Sequence, residues 1–311
     1  MQSKLHFFSL LLFTSCIAFC CSKNDSPPPP PPILLDTLGA GWQKIKIDTA
    51  LKLIDIFFVN NQTGFVCGGN YLGKSEDGGI TWKQIKLPGT STNSFNNVFF
   101  ADANTGWAFS SPNLFQTKDG GNTWEKKNSI DVFDGQFFDA NNGYIISEGS
   151  LFKTTDGGTT LQKLGNQSYR GLFFLNKDTG WVSGRGLFKT DDAGASLKQV
   201  SALPLEEMYA VQFTDNLHGW MSSQSVYRTV DGGVTMQLLF KDVTGGDIQF
   251  FDNNNGFVLA GQYIYSTTDG GVTLQKRCTI NSGTVYEIHF ADANHGWAAS
   301  TGGYVYRFVK P

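Results

Sequence analysis

Thr117-Lys-Asp-Gly-Gly-Asn-Thr-Trp124 decides the fold, because the chain writes it six times. The other copies run 75–82, 154–161, 190–197, 229–236 and 267–274, and the central aspartates Asp77, Asp119, Asp156, Asp192, Asp231 and Asp269 lie 36 to 42 residues apart. A period near 40 with strand-like flanks is the mark of a propeller or solenoid. The paired glycines permit positive φ, and the aspartate can accept hydrogen bonds from the amides of its own turn. Six near-identical copies around a ring cannot all serve one site, so these aspartates are expected to be structural.

A second motif, an apolar strand ending in Phe and then a polar turn with Gly and an aromatic, occurs seven times. Its glycines are Gly64, Gly106, Gly143, Gly180, Gly219, Gly256 and Gly296, with a Phe six residues before each, from Phe58 to Phe290. Each repeat reads as four short strands between Gly, Asn and Asp turns; in the second these are 97–101, 106–110, 113–117 and 122–127. The seventh repeat stops after three, at Phe308. Its missing strand matches the other end of the domain, where Trp42-Gln-Lys-Ile-Lys-Ile47 parallels Trp82-Lys-Gln-Ile-Lys-Leu87. The fold expected is all-β, a seven-bladed propeller of four-stranded blades over residues 39–311, closed by strand 42–47 in blade seven so that no sheet edge is left open.

Composition narrows the function. The net charge of −3 and the absence of a basic run give nucleic acid no electrostatic foothold. Residues 1–21 carry Lys4 and then an apolar run ending in Cys16, Cys20 and Cys21, which is typical of an export signal. The segment resembles a bacterial lipoprotein signal, which implies lipidation of a cysteine. Cys16 follows small residues and Cys21 stands at the switch to polar sequence, so both are candidates. Residues 22–38 form a tether whose six prolines, Pro27 to Pro32, span roughly 19 Å as polyproline II. The resulting expectation is an exported monomer in a bacterial cell envelope, periplasmic or at the cell surface, held to a membrane through N-terminal lipid only. Cys67 and Cys278 fall in blades one and six, too far apart for a disulfide, and are expected as free thiols.

The turn at Asp102-Ala-Asn-Thr-Gly106, with relatives at Asp139, Asp252 and Asp292, has its glycine a residue early for a calcium loop and lacks the closing glutamate. It reads as a hairpin turn. The four histidines, His6, His218, His289 and His295, show no metal-ligand spacing, and no metal or cofactor is expected.

The boxes resemble the Asp-box, or bacterial neuraminidase repeat, of sialidases, sortilin-type receptors and the photosystem II stability and assembly factor family. Seven blades of about 38 residues in an exported chain look most like the assembly-factor-type propellers, over residues 40–310. Such families put the box to unrelated uses, so the resemblance speaks to architecture. Sialidases of this kind clamp a substrate carboxylate with three arginines, one in a Phe/Tyr-Arg-Ile-Pro motif, and use a Tyr-Glu nucleophile pair. Here the arginines are Arg170, Arg185, Arg228, Arg277 and Arg307, none in that motif, and Arg185, Arg228 and Arg277 are expected in third or fourth strands, away from the axis. No nucleophile elbow or phosphate loop is present either. The chain is therefore expected not to be an enzyme; a sialidase-like glycoside hydrolase and a carbohydrate-binding surface lipoprotein are the alternatives.

Both regular motifs follow first and third strands, so they share one face and the irregular loops gather on the other. Nine residues before each motif glycine stand Asp55, Asn97, Asp134, Gly171, Ala210, Asp247 and Glu287, which places four carboxylates around the channel mouth. Just outside come Phe133, Arg170, Tyr209 and Tyr286, residue types that dominate interaction hot spots. The binding candidates are Phe133, Asp134, Arg170, Tyr209, Asp247, Tyr286 and Glu287, on a face for a protein partner with a basic or aromatic element. The resemblance adds a role in assembling an envelope complex. The bland reading is that the carboxylates cap strand ends and the aromatics wedge blades together.

Overall fold

The computed structural model describes residues 36–38, 41–87, 94–201, 210–241 and 246–311. The expected signal, Cys16, Cys21, the prolines and Tyr209 lie outside the described residues.

Six sheets of four antiparallel strands and one of five are arranged as blades, each built from consecutive strands running from the inside outwards. The seventh is completed by Trp42–Lys46, which pairs antiparallel with Tyr304–Val309, Trp42 opposite Phe308 and Lys46 opposite Tyr304. Asp36–Thr37 pairs in turn with Trp42–Lys46, so this blade gains a fifth strand and the ring begins before the expected boundary at residue 39.

The seven-fold motif now has a physical cause. Each motif aromatic stacks on the Phe of the following blade: Phe65 on Phe100, Trp107 on Phe137, Tyr144 on Phe174, Trp181 on Phe213, Trp220 on Phe250, Phe257 on Phe290, and Trp297 on Phe58. The last pair closes the circle, its rings 3.5 Å apart and 4° from parallel. The other side of each Phe lies against the glycine of its own blade. At Gly106 a Cβ would come within 2.5 Å of the Phe100 ring, so any larger residue would push the ring off its partner.

The Asp box is a turn throughout. Asp119 accepts from the amides of Asn122 and Thr123 at 3.0 and 2.8 Å and from the Thr123 hydroxyl at 2.6 Å, which hold its carboxyl down to about 2. Gly120 and Gly121 have φ of 68° and 83°, and Ala193 keeps the same left-handed turn at 58° in the fourth copy. These bonds sit in half-buried or exposed turns on the ring's surface. The box also delays the fourth strand of the second repeat to Glu125–Asn128, later than expected, because its residues are already committed to the turn. Trp124 belongs to that turn and donates its indole N–H to Gly121 O at 3.1 Å. The first strand of the same repeat begins early, at Ser94.

The turns suspected of resembling calcium loops are hairpin turns: Asp102 Oδ1 accepts the amides of Asn104 and Thr105, both at 2.8 Å. Asp139, Asp252 and Asp292 take up amides of their own turns in the same way. Cys67 and Cys278 are buried free thiols. Among the described residues, no helix is long and apolar enough to cross a membrane.

Candidate functional site

The inner strand of every blade has a neighbour on one side only, so its other edge offers unpaired amides and carbonyls to the channel. Side chains from the preceding blade cap that edge. Asp55 takes the amide of Val98 at 2.5 Å, Asp134 that of Leu172 at 2.9 Å and Asp247 that of Ile288 at 3.0 Å. The second oxygen of each accepts the next amide of its own strand, from Ile56, Gly135 and Ile248. Side chains two residues on point the same way from a strand. There Gln136, Gln212 and Gln249 each clasp both backbone groups of Phe174, Phe250 and Phe290, and His289 Nε2–H donates to Phe58 O at 2.9 Å. Burial lowers the His289 imidazole to about 4, so it is the neutral ring that makes this bond.

The capping reading therefore holds for three of the four carboxylates, and it does not exhaust them. Asp55, Asp134, Asp247 and Glu287 also line one cavity of about 1000 Å³ at the centre of the ring, open on the variable-loop side. Burial among low-dielectric walls is the first cause that raises them all: Asp55 and Asp247 to about 7, Asp134 to about 6, and Glu287 well above the usual range. Mutual repulsion adds at Asp55, Asp247 and Glu287, and the amide bonds at the three aspartates oppose the rise. Asp55 is 4% exposed, whereas the other three keep some contact with the channel space.

A carboxyl raised on folding holds a proton that the unfolded chain releases near pH 4, so it costs stability as pH rises from there through the folded value. Glu287→Gln is accordingly expected to raise the melting temperature at pH 8 and to leave it unchanged at pH 4. An equal shift at both pH values would show that charge is not the cause.

Of the seven binding candidates, six line this cavity: Phe133, Asp134, Arg170, Asp247, Tyr286 and Glu287. Phe133 and Tyr286 are about half exposed, at 49% and 52%, and the Arg170 guanidinium lies over the Phe133 ring, 5.5 Å from its centre. Arg185 departs from expectation: it sits between the second and third strands, Gly180–Ser183 and Leu187–Thr190, in an exposed turn on the variable-loop side. Gly184 and Gly186, which close that turn by a 3.0 Å backbone bond, are the reason.

Reading only the ninth position before each glycine missed the deeper wall. The seventh position holds Phe57, Phe99, Gln136, Phe173, Gln212, Gln249 and His289, all of which line the cavity or, for Gln136, cap an inner edge. The same register that located the carboxylates could have found them.

The first part of the chain, residues 36–132, matches the family model described as Photosynthesis system II assembly factor YCF48. Among solved structures, one described as YCF48 bound to D1 peptide superimposes with a TM-score of 0.73 at 22% identity, covering 87% of this chain and 97% of that one. YCF48 from Cyanidioschyzon merolae gives 0.70 at 16% identity, covering 87% and 99%. Virginiamycin B lyase from Staphylococcus aureus gives 0.70 at 11% identity, covering 86% and 98%. No protein of curated function matches the sequence. Identities this low establish the fold alone, a seven-bladed propeller, and the family-model match makes residues 36–132 similar to the assembly-factor propellers.

Proposed function

We propose that the protein is a non-catalytic scaffold that binds a partner polypeptide on its variable-loop face, with the channel mouth at the centre. It acts in the cell envelope, held to a membrane through lipid on Cys16 or Cys21, and assists assembly of a complex there. One observation carries the reading: a rim of exposed Phe133 and Tyr286 with Arg170 opens onto a central cavity, the mixture of anchor and concavity that interaction hot spots favour. The likeness to a propeller described as bound to a peptide supports the class of partner. Against catalysis, three of the four channel carboxylates spend both oxygens on backbone amides.

Crosslinking in intact cells, followed by mass spectrometry of what is captured, tests the face. The double change Phe133→Ala with Arg170→Ala is expected to abolish capture while the melting temperature stays at the wild-type value. Capture at full strength would remove this face from consideration. The mass of the mature N-terminus decides between Cys16 and Cys21, and an unmodified N-terminus would rule out the lipid.

A further inference from the structure

We propose that the channel receives a basic side chain of the partner, a lysine or arginine whose head enters among Asp55, Asp134, Asp247 and Glu287 while its stem lies along Phe57, Phe99 and Phe173. This rests on the reading above and names the chemistry of its partner.

The cavity wall is short of donors. Asn96 commits its Nδ2 to Val132 O at 2.9 Å, and its Oδ1 is buried with no hydrogen-bond partner among the described residues. Among the described residues no hydrogen bond reaches the Glu287 carboxylate either, although an amide serves each of the three aspartates from the following blade. A group rich in N–H donors entering the channel would satisfy the Glu287 carboxyl.

The three phenylalanines point to the same guest by a separate route. Four blades use the inward position to cap the next inner strand, with Gln136, Gln212, Gln249 and His289. Phe57, Phe99 and Phe173 cannot make that bond, and each remains partly exposed on the channel wall, so the ring gives up three polar ties for apolar surface. Aromatic faces beside carboxylates suit a cation carried on an alkyl stem.

Charge complementarity fixes the sign. Among the described residues, the titratable and charged groups lining the cavity are the four carboxylates, the neutral His289 and, at the mouth, Arg170 and the Tyr286 phenol. A volume of about 1000 Å³ admits a long side chain together with neighbouring backbone, which favours a polypeptide segment over a bare ion.

The test uses two acetylated, amidated peptides of glycine and serine around a Phe-Lys-Phe centre, the second with norleucine for lysine, titrated calorimetrically into the full-length protein at pH 7.5. The lysine peptide is expected to bind at least tenfold more tightly. Glu287→Gln should cost most of that preference. Phe99→Gln, which installs the residue type found at Gln136, should weaken the lysine peptide at least tenfold with no loss of melting temperature. Equal binding of the two peptides, no binding of either, or full preference retained in Glu287→Gln would each overturn the inference. If it falls while cellular capture still depends on Phe133 and Arg170, the broader reading stands; loss of that dependence sinks the broader reading itself.

Discussion

Deletion of residues 39–48 is expected to abolish the cooperative melting of the whole ring, although it removes the outer part of a single blade. Trp42 is fully buried, its ring 5.2 Å from Phe308 and 6.2 Å from Phe290, and Ile45, on the opposite face of the strand, is 2% exposed. Removing both, with the hydrogen bonds to Tyr304–Val309, bares a sheet edge and the aromatic core of blade seven. One buried Trp truncated to Ala costs about 3–5 kcal/mol, so losing the strand takes a large share of the roughly 5–15 kcal/mol that hold a domain together. Circular dichroism melts should show a broad or absent transition. A synthetic peptide of residues 36–48 should restore the transition in a concentration-dependent way, since it binds only the folded form. A truncated protein melting at the wild-type temperature would refute the closure.

The second large effect belongs to the opposite end of the last blade. Trp297 lies fully buried on Phe58 of the first blade and donates its indole N–H to Gly78 O at 2.8 Å, so one side chain joins the two ends of the circle. Trp297→Ala is expected to cost about 3–5 kcal/mol and to lower the melting temperature by roughly 10 °C. Trp297→Phe keeps the stack and loses the hydrogen bond, and should cost on the order of 1–2 kcal/mol. Calorimetry of the two variants separates stacking from hydrogen bonding; equal losses would show that the ring face contributes little.

The blade count, the closing strand and the division into a regular and an irregular face were legible because they follow from local rules. Box and motif each recur in fixed register, and Trp42 to Ile47 carries the pattern that the seventh repeat lacks. The carboxylate ring was legible for the same reason. What escaped were effects that cross from one blade to the next. Nothing local marks Asp55 as the acceptor for Val98, 43 residues away, nor shows that Gln249 clasps a strand end where Phe173 cannot. Arg185 was misplaced because a Gly-Arg-Gly turn within an apolar run looks like strand until its neighbours are seen.

The polar ties between blades fall at two radii, and their distribution decides which seams tolerate change. The seams from blade three to four, five to six and seven to one are held at both radii, near the axis by Asp134 with Gln136, by Gln212 and by His289, and farther out by Tyr144, Trp220 and Trp297 respectively. Between two and three, and between four and five, where phenylalanine stands at the axis, the outward indoles of Trp107 and Trp181 take over. Between one and two, and between six and seven, the outward aromatics Phe65 and Phe257 have nothing to donate; the first seam is tied by Asp55 to Val98 and by Phe95 N–H to Gly69 O, the other by Asp247 and Gln249. A ring assembled from drifting repeats thus keeps at least one fastening at each joint, and at the first and sixth joints residues that face the channel also hold the circle.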